Sequence, residues 1–257
     1  MEYLIISLTA FTASLVTFFT GFGLGTILLP AFIIFFPVES AIALTAAVHL
    51  INNLFKVLLV GKHASKHVVL HFGLPALVAA LVGADLLVRL AALPAVATMT
   101  IGGRLCRIMP VKLLVALLMC AFSLLEMSGS LKSLKMPPRY LVAGGAVSGF
   151  FGGLSGHQGA LRGLFLVKAG LSAEQFVGTS CVIATLVDVA RLAVYVPSWS
   201  TARLFGQEAL VGLAVVSALA GSLLGSRLLK KASYRVIEVA ASLLVLIISV
   251  GLATGLL

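Results

Sequence analysis

Charge is scarce in this chain. Only 10% of its 257 residues are Asp, Glu, Lys or Arg, and no more than 8 of these are acidic. A water-soluble domain carries about a quarter charged residues. With 61% hydrophobic residues, there is too little polar surface to coat a soluble particle and far too much apolar surface for one core. A soluble enzyme, a disordered chain and a secreted disulfide scaffold are excluded. Cysteine is nearly absent as well. Cys106, Cys120 and Cys181 stand alone, with no C-x-x-C spacing, so neither a zinc site nor a disulfide framework is encoded. There is no H-E-x-x-H, no G-x-S-x-G and no paired-carboxylate signature. An enzyme, a metal site and a cofactor are therefore not expected. What the chain has in abundance is long apolar runs, and these make it an all-α, polytopic integral membrane protein.

The formal charge of +10 would suggest nucleic acid in a soluble protein. In a membrane protein, basic residues collect in cytoplasmic loops and meet anionic headgroups. The expected partners are thus the lipid bilayer and a small anion, with no nucleic acid; a homo-oligomer stays open. The first apolar run follows Met1-Glu2 rather than a basic stretch, and no A-x-A-like site succeeds it. It is expected to be part of the mature protein, not a signal peptide.

Charges and Gly/Pro clusters divide the chain into ten apolar segments, at about 3–19, 24–36, 41–60, 68–93, 112–126, 139–154, 160–168, 173–196, 207–229 and 235–257. A full span needs about 20 residues. The third, fourth, eighth, ninth and tenth qualify, whereas the second and seventh are too short. Both short segments follow a glycine cluster, Thr20-Gly21-Phe22-Gly23-Leu24-Gly25 and Ser155-Gly156-His157-Gln158-Gly159. Short, Gly-interrupted segments at matching positions of two halves point to a transporter binding site near the midplane.

The halves do match. A shift of 135 residues lays Gly21 on Gly156, Glu39 on Glu174, Thr45 on Ser180, Asn53 on Asp188 and Lys56 on Arg191. A second block, at a shift of 123, lays Gly102-Gly103-Arg104-Leu105 on Gly225-Ser226-Arg227-Leu228. The difference implies about a dozen extra residues in the first half, near Ala84–Ala97. The expected organisation is a first repeat at 1–130 and a second at 131–257, each with about five segments. If the short segments both cross, or fold back together as a hairpin, each copy crosses an odd number of times, which turns the second upside down and gives two inverted repeats.

Basic residues orient the chain. Ten of them (Lys62, Lys66, Lys132, Lys135, Arg139, Lys168, Arg227, Lys230, Lys231 and Arg235) lie at one set of ends, and four (Arg104, Arg107, Lys112 and Arg203) at the other. The richer side is expected to be cytoplasmic, with both termini outside and Tyr3 and Trp199 at the outer interface.

The third segment places Thr45, His49, Asn52, Asn53 and Lys56 within a sector of about 100°. The eighth repeats this with Ser180, Asp188, Arg191 and Tyr195. Polar stripes inside hydrocarbon face a water-filled cavity or one another. The bland alternative is structural glue, with Asp188 and Arg191 merely pairing. Glycine breaks free backbone N–H groups, and a half-helix opening there is an anion site. Arg162, just after the second break, offers a planar guanidinium that suits an oxyanion. The stripe of Gly144, Gly145, Gly149, Gly152 and Gly153 reads instead as tight helix packing. His63, His67 and His71 share one helix face beside Lys62 and Lys66 and read as a solvated helix end. Asp85 and Arg89 read as an intramembrane ion pair.

Two motifs carry a family resemblance. One is Thr20-Gly-Phe-Gly-x-Gly-x-x-x-x-Pro30 followed by Ala43-x-Thr45. The other is Ser155-Gly-His-Gln-Gly-Ala-Leu-Arg162 followed by Gly178-Thr-Ser180 and Val187-Asp-x-x-Arg191. In these the chain resembles the sulfite exporter TauE/SafE family, also called the toluene sulfonate uptake permease family, over nearly its whole length. It departs from the pattern at His157-Gln158, where small residues are usual, and at Phe165, which stands where the first copy has Pro30. The resemblance implies transport of sulfur-containing anions across the cytoplasmic (inner) membrane, often outward. The reading is a secondary carrier for sulfite or an organosulfonate. Gly21, Gly23, Gly156 and Gly159 would supply open backbone. His49, Asn53, Lys56, His157, Gln158, Arg162 and Arg191 would face the anion, with Asp188 as counter-charge or proton carrier. The rivals are an anion channel and, further off, an intramembrane enzyme.

Overall fold

The computed structural model describes residues 1–18, 23–128, 136–198, 206–228 and 235–257. The described residues form ten helices and one small hairpin. In order these are α1 (Glu2–Thr17), α2 (Leu24–Ile33), α3 (Val38–Val60), α4 (Lys66–Ala91), β1 (Ala97–Ile101), β2 (Arg104–Ile108), α5 (Pro110–Ser128), α6 (Leu141–Ser155), α7 (Gly159–Leu166), α8 (Ala173–Ser198), α9 (Glu208–Leu228) and α10 (Arg235–Ala253). Each of the ten apolar segments corresponds to one helix.

Local chemistry sets the boundaries. Gly23, at φ +109°, opens α2, and Pro37 immediately precedes α3. Gly156, at φ +83°, ends α6 in the left-handed conformation that glycine adopts without Cβ strain. Ser172 and Gln175 form a reciprocal capping box at the start of α8. The Ser172 amide donates to the Gln175 side chain at 3.0 Å, and the Gln175 amide to Ser172 Oγ at 3.2 Å. In α4 the ladder widens to a π turn over Val69–Gly73 before resuming at Leu74.

Among the described residues four helices are long and apolar enough to cross a membrane: Val38–His63, Lys66–Ala91, Ala173–Pro197 and Glu208–Arg227. The 23 residues of α3 rise about 35 Å, enough for a hydrocarbon core of about 30 Å. The α2 and α7 helices, with 10 and 8 residues, are each too short to cross alone. Leu58, Val78, Leu117, Val216 and Ile247 point outward and exposed, as side chains facing lipid do. The chain is a multi-pass helical membrane protein.

The closest packing runs through glycine. A Cβ on Gly145, Gly149 or Gly153 of α6 would stand 2.2, 2.0 and 2.0 Å from the carbonyl oxygens of Phe72, Ala76 and Ala80 on α4. Gly221 and Gly225 of α9 seat in the same way against the carbonyls of Phe11 and Leu15 on α1. The expected packing role of the glycine stripe is thus met, with small residues letting backbones touch. Between these pairs α3 packs on α8, and α5 packs on α10.

A hairpin, which the apolar segments do not announce, follows α4. Its strands β1 and β2 pair antiparallel, Ala97 opposite Ile108 and Ile101 opposite Arg104. Gly102 and Gly103 are its turn, at φ +58° and +80°, as a two-residue hairpin loop requires. Gly225–Leu228, matched to this turn by the shift of 123, is instead the end of a helix. The two matched stretches thus differ in local structure.

Candidate functional site

The two predicted polar stripes face each other across the α3–α8 contact. Asp188 is their centre. Its Oδ1 accepts from Arg191 Nη2 at 2.7 Å and Nε at 3.0 Å. Its Oδ2 lies 2.7 Å from His49 Nδ1 and accepts from Asn53 Nδ2 at 3.1 Å. Four donors saturate one carboxylate, so Asp188 and Arg191 do pair, but within a larger cluster. The carboxylate is wholly buried, and a buried charge is tolerable only when paired this fully.

The second glycine break supplies the other wall. Gly156 lies against the cluster, since a Cβ there would meet Arg191 Nη1 at 2.7 Å. Arg162 occupies the first turn of α7, as expected, with its amide bonded to the Gln158 carbonyl. Its Nη1 donates to Gln158 Oε1 at 3.1 Å. His157 Nδ1 is 3.1 Å from Ser155 Oγ, and its ring stacks on Phe122 of α5, with 4° between planes and centroids 5.5 Å apart. His157 Nε2 and Gln158 Nε2 are buried without a hydrogen-bond partner among the described residues.

The first break meets the second here. A Cβ on Gly25 would stand 3.7 Å from the Gly156 carbonyl oxygen and 4.0 Å from the His49 ring. Gly23 opens α2 beside Thr17, whereas Thr20 and Gly21 lie outside the described residues. Lys56 is buried, with its ammonium 5.5 Å from the Phe18 ring. Gly159 begins α7, one residue after Gln158.

The electrostatics are one-sided. Among the described residues the buried charged side chains are Lys56, Arg162 and Arg191 against the single carboxylate Asp188. Lys56 and Arg162 are near enough to repel each other. Burying cations in excess is expensive, and an arriving anion would offset that cost.

Sequence reasoning missed one member. Cys181, set aside as isolated, lies within electrostatic range of both Lys56 and Arg162. It stands seven residues before Asp188, on the same helix face, and that spacing was the available signal. Asn52 turns away from the cluster. Its Oδ1 accepts from Ser14 at 3.1 Å and Ser222 at 2.8 Å, tying α3 to α1 and α9. Tyr195 donates to the Gly153 carbonyl.

Other expected features fall elsewhere. His63, His67 and His71 are exposed at a helix end, and no group of three potential metal ligands occurs among the described residues. Asp85 and Arg89 pair at 2.6 Å on an exposed face. Lys132, Lys135, Trp199, Arg203, Lys230 and Lys231 lie outside the described residues.

A family model described as sulfite exporter TauE/SafE matches residues 6–252. No curated protein and no solved structure matches the chain.

Proposed function

The chain belongs to the sulfite exporter TauE/SafE family, and from that premise we infer that it is a secondary carrier of a small sulfur-containing oxyanion, sulfite or an organosulfonate, across the cytoplasmic membrane, with export as the direction. The observation that carries this reading is the buried excess of Lys56, Arg162 and Arg191 over Asp188 where two glycine breaks meet. Arg162 and Lys56 attract the anion, Gln158 Nε2 offers it an unpartnered donor, and the His157 ring lines the same break. Gly23, Gly156 and Gly159 keep backbone close to it. Arg191, Asp188, Asn53 and His49 form the wall that fixes their position.

Alternating access between inverted halves, divided near residue 130, is the mechanism that fits. The first helix of each half packs on the fourth of the other, α1 on α9 and α6 on α4. The third helices, α3 and α8, pack together, as do the fifth, α5 and α10. Asn53 donates to Asp188, the residue 135 positions on. Such reciprocity is what a two-fold axis in the membrane plane produces, and it supports the reading.

The test is uptake of labelled sulfite, taurine and sulfoacetate by proteoliposomes. Saturable flux, accelerated by unlabelled anion on the opposite side, is expected. Flux that rises linearly with concentration and shows no such acceleration would make the protein an anion channel. No flux of any of the three would remove the sulfur anion as substrate.

A further inference from the structure

A buried carboxylate in a carrier invites the idea that it carries the coupling proton, but Asp188 is badly placed to do so. Arg191 Nε and Nη2 can only donate, and so can Asn53 Nδ2. A proton added to either carboxylate oxygen would face a donor. The one neighbour with a protonatable atom that is not bonded to this carboxylate is His49, through Nε2. With Nδ1–H directed at Asp188, its Nε2 has only Asn53 Nδ2 near it, at 3.5 Å, and can be bare or protonated.

The ring is also the way into the cluster. The Asp188 side chain is 0% exposed and that of Arg191 2%, while that of His49 is 10% exposed. Its Cδ2, adjacent to Nε2, faces Gly25, where a missing Cβ leaves the edge uncovered, next to the Gly156 carbonyl. His49 thus stands at the junction of the two broken segments, the part of the molecule that alternating access must rearrange.

We propose that His49 is the proton-binding site of the carrier, with Asp188 as its permanently ionised partner, and that the proton and the anion bind together. The inference rests on the transport reading above. Neutral His49 leaves the His49–Asp188–Arg191 cluster without net charge, and a protonated ring makes it positive. The other buried titratable or charged groups on the surrounding elements are Lys56 on α3, Cys181 and Tyr195 on α8, and His157 and Arg162 at the second break, while α2 has none. The cations among them oppose a further positive charge until an anion arrives. By linkage the proton must then favour the anion to the same degree as the anion favours the proton. Proton and anion cross in the same direction, and net export proceeds when the internal anion gradient exceeds the inward proton gradient.

The experiment measures protons taken up on binding. Sulfoacetate, ionised throughout the range from pH 6 to pH 8 used as the test window, is titrated into the purified protein by calorimetry in two buffers of different ionisation enthalpy. Uptake approaching one proton per anion is expected at the alkaline end, with apparent affinity weakening up to about tenfold per pH unit. His49→Gln should abolish the uptake and flatten the pH dependence. Should His49→Gln not be monodisperse, wild-type protein with 15N-labelled histidine serves, because one buried ring should pass from neutral to imidazolium as the anion is added. Binding without proton uptake, or uptake that persists in His49→Gln, would overturn the assignment. Absence of both binding and flux in wild-type protein would instead overturn the transport reading.

Discussion

Arg162 and Arg191 are both buried guanidiniums, yet they are held for different tasks. Arg191 has two of its donors on one carboxylate, whereas Arg162 Nη1 meets a neutral amide, Gln158. Arg162→Lys keeps the charge but loses the planar donor set, at about 1–3 kcal/mol for a charged hydrogen bond. Sulfonate affinity measured by calorimetry should fall roughly tenfold while the protein stays monodisperse; unchanged affinity would move the anion to Lys56. Asp188→Asn should act on stability instead, because it strands Arg191 in the interior, at about 3–5 kcal/mol. Thermal unfolding in detergent should show a clear drop in Tm. Asp188→Asn combined with Arg191→Gln should recover much of it, since the pair is then removed whole. Residue identity made part of this site legible: costly polar side chains at helical spacing marked His49, Asn53, Lys56, Asp188 and Arg191. Which of them pair was not legible, because partner choice depends on how α3 and α8 are rotated against each other. The same dependence hid Asn52, which reaches Ser14 and Ser222 on two other helices.

At the scale of elements, the contact between α4 and α6 is set by the absence of side chains. Gly149→Ala would place a methyl 2.0 Å from the Ala76 carbonyl oxygen, a distance no rotamer relieves, so the helices must part. Folded yield in detergent should fall sharply. Gly212→Ala, on α9 with nothing within 4 Å of the added Cβ, should leave the yield unchanged and add up to about 1 kcal/mol through helix propensity. Equal losses from both would mean that glycine is needed for backbone freedom and not for contact. Helices were legible from sequence because apolar runs are punctuated by Gly, Pro and charge, as at Gly23, Pro37 and Gly156. The hairpin was not. Ala97-Thr-Met-Thr-Ile and Arg104-Leu-Cys-Arg-Ile alternate with a period of two around Gly102-Gly103, a strand signal, but one masked by the likeness of Gly102-Gly103-Arg104-Leu105 to Gly225-Ser226-Arg227-Leu228 at the end of a helix.

For the whole molecule, the crossing of α4 ties orientation to the two ends of one helix. Lys66–Ala91 is long enough to span, so the loop before it and the hairpin after it should lie on opposite sides. The loop carries Lys62 and Lys66, and the hairpin carries Arg104 and Arg107. Local charge therefore says little, and the ten-to-four asymmetry over the full chain decides. It predicts the Lys62–Lys66 end in the cytoplasm and the hairpin outside. Single cysteines can be introduced at His63 and at Thr98, both exposed, in protein lacking Cys106, Cys120 and Cys181. In intact cells an impermeant thiol reagent should label Thr98→Cys and leave His63→Cys untouched until the membrane is permeabilised. The reverse pattern would invert the molecule while keeping the crossing. Labelling of both in intact cells would mean that α4 does not span, and the inverted halves would then lose the odd number of crossings on which they depend.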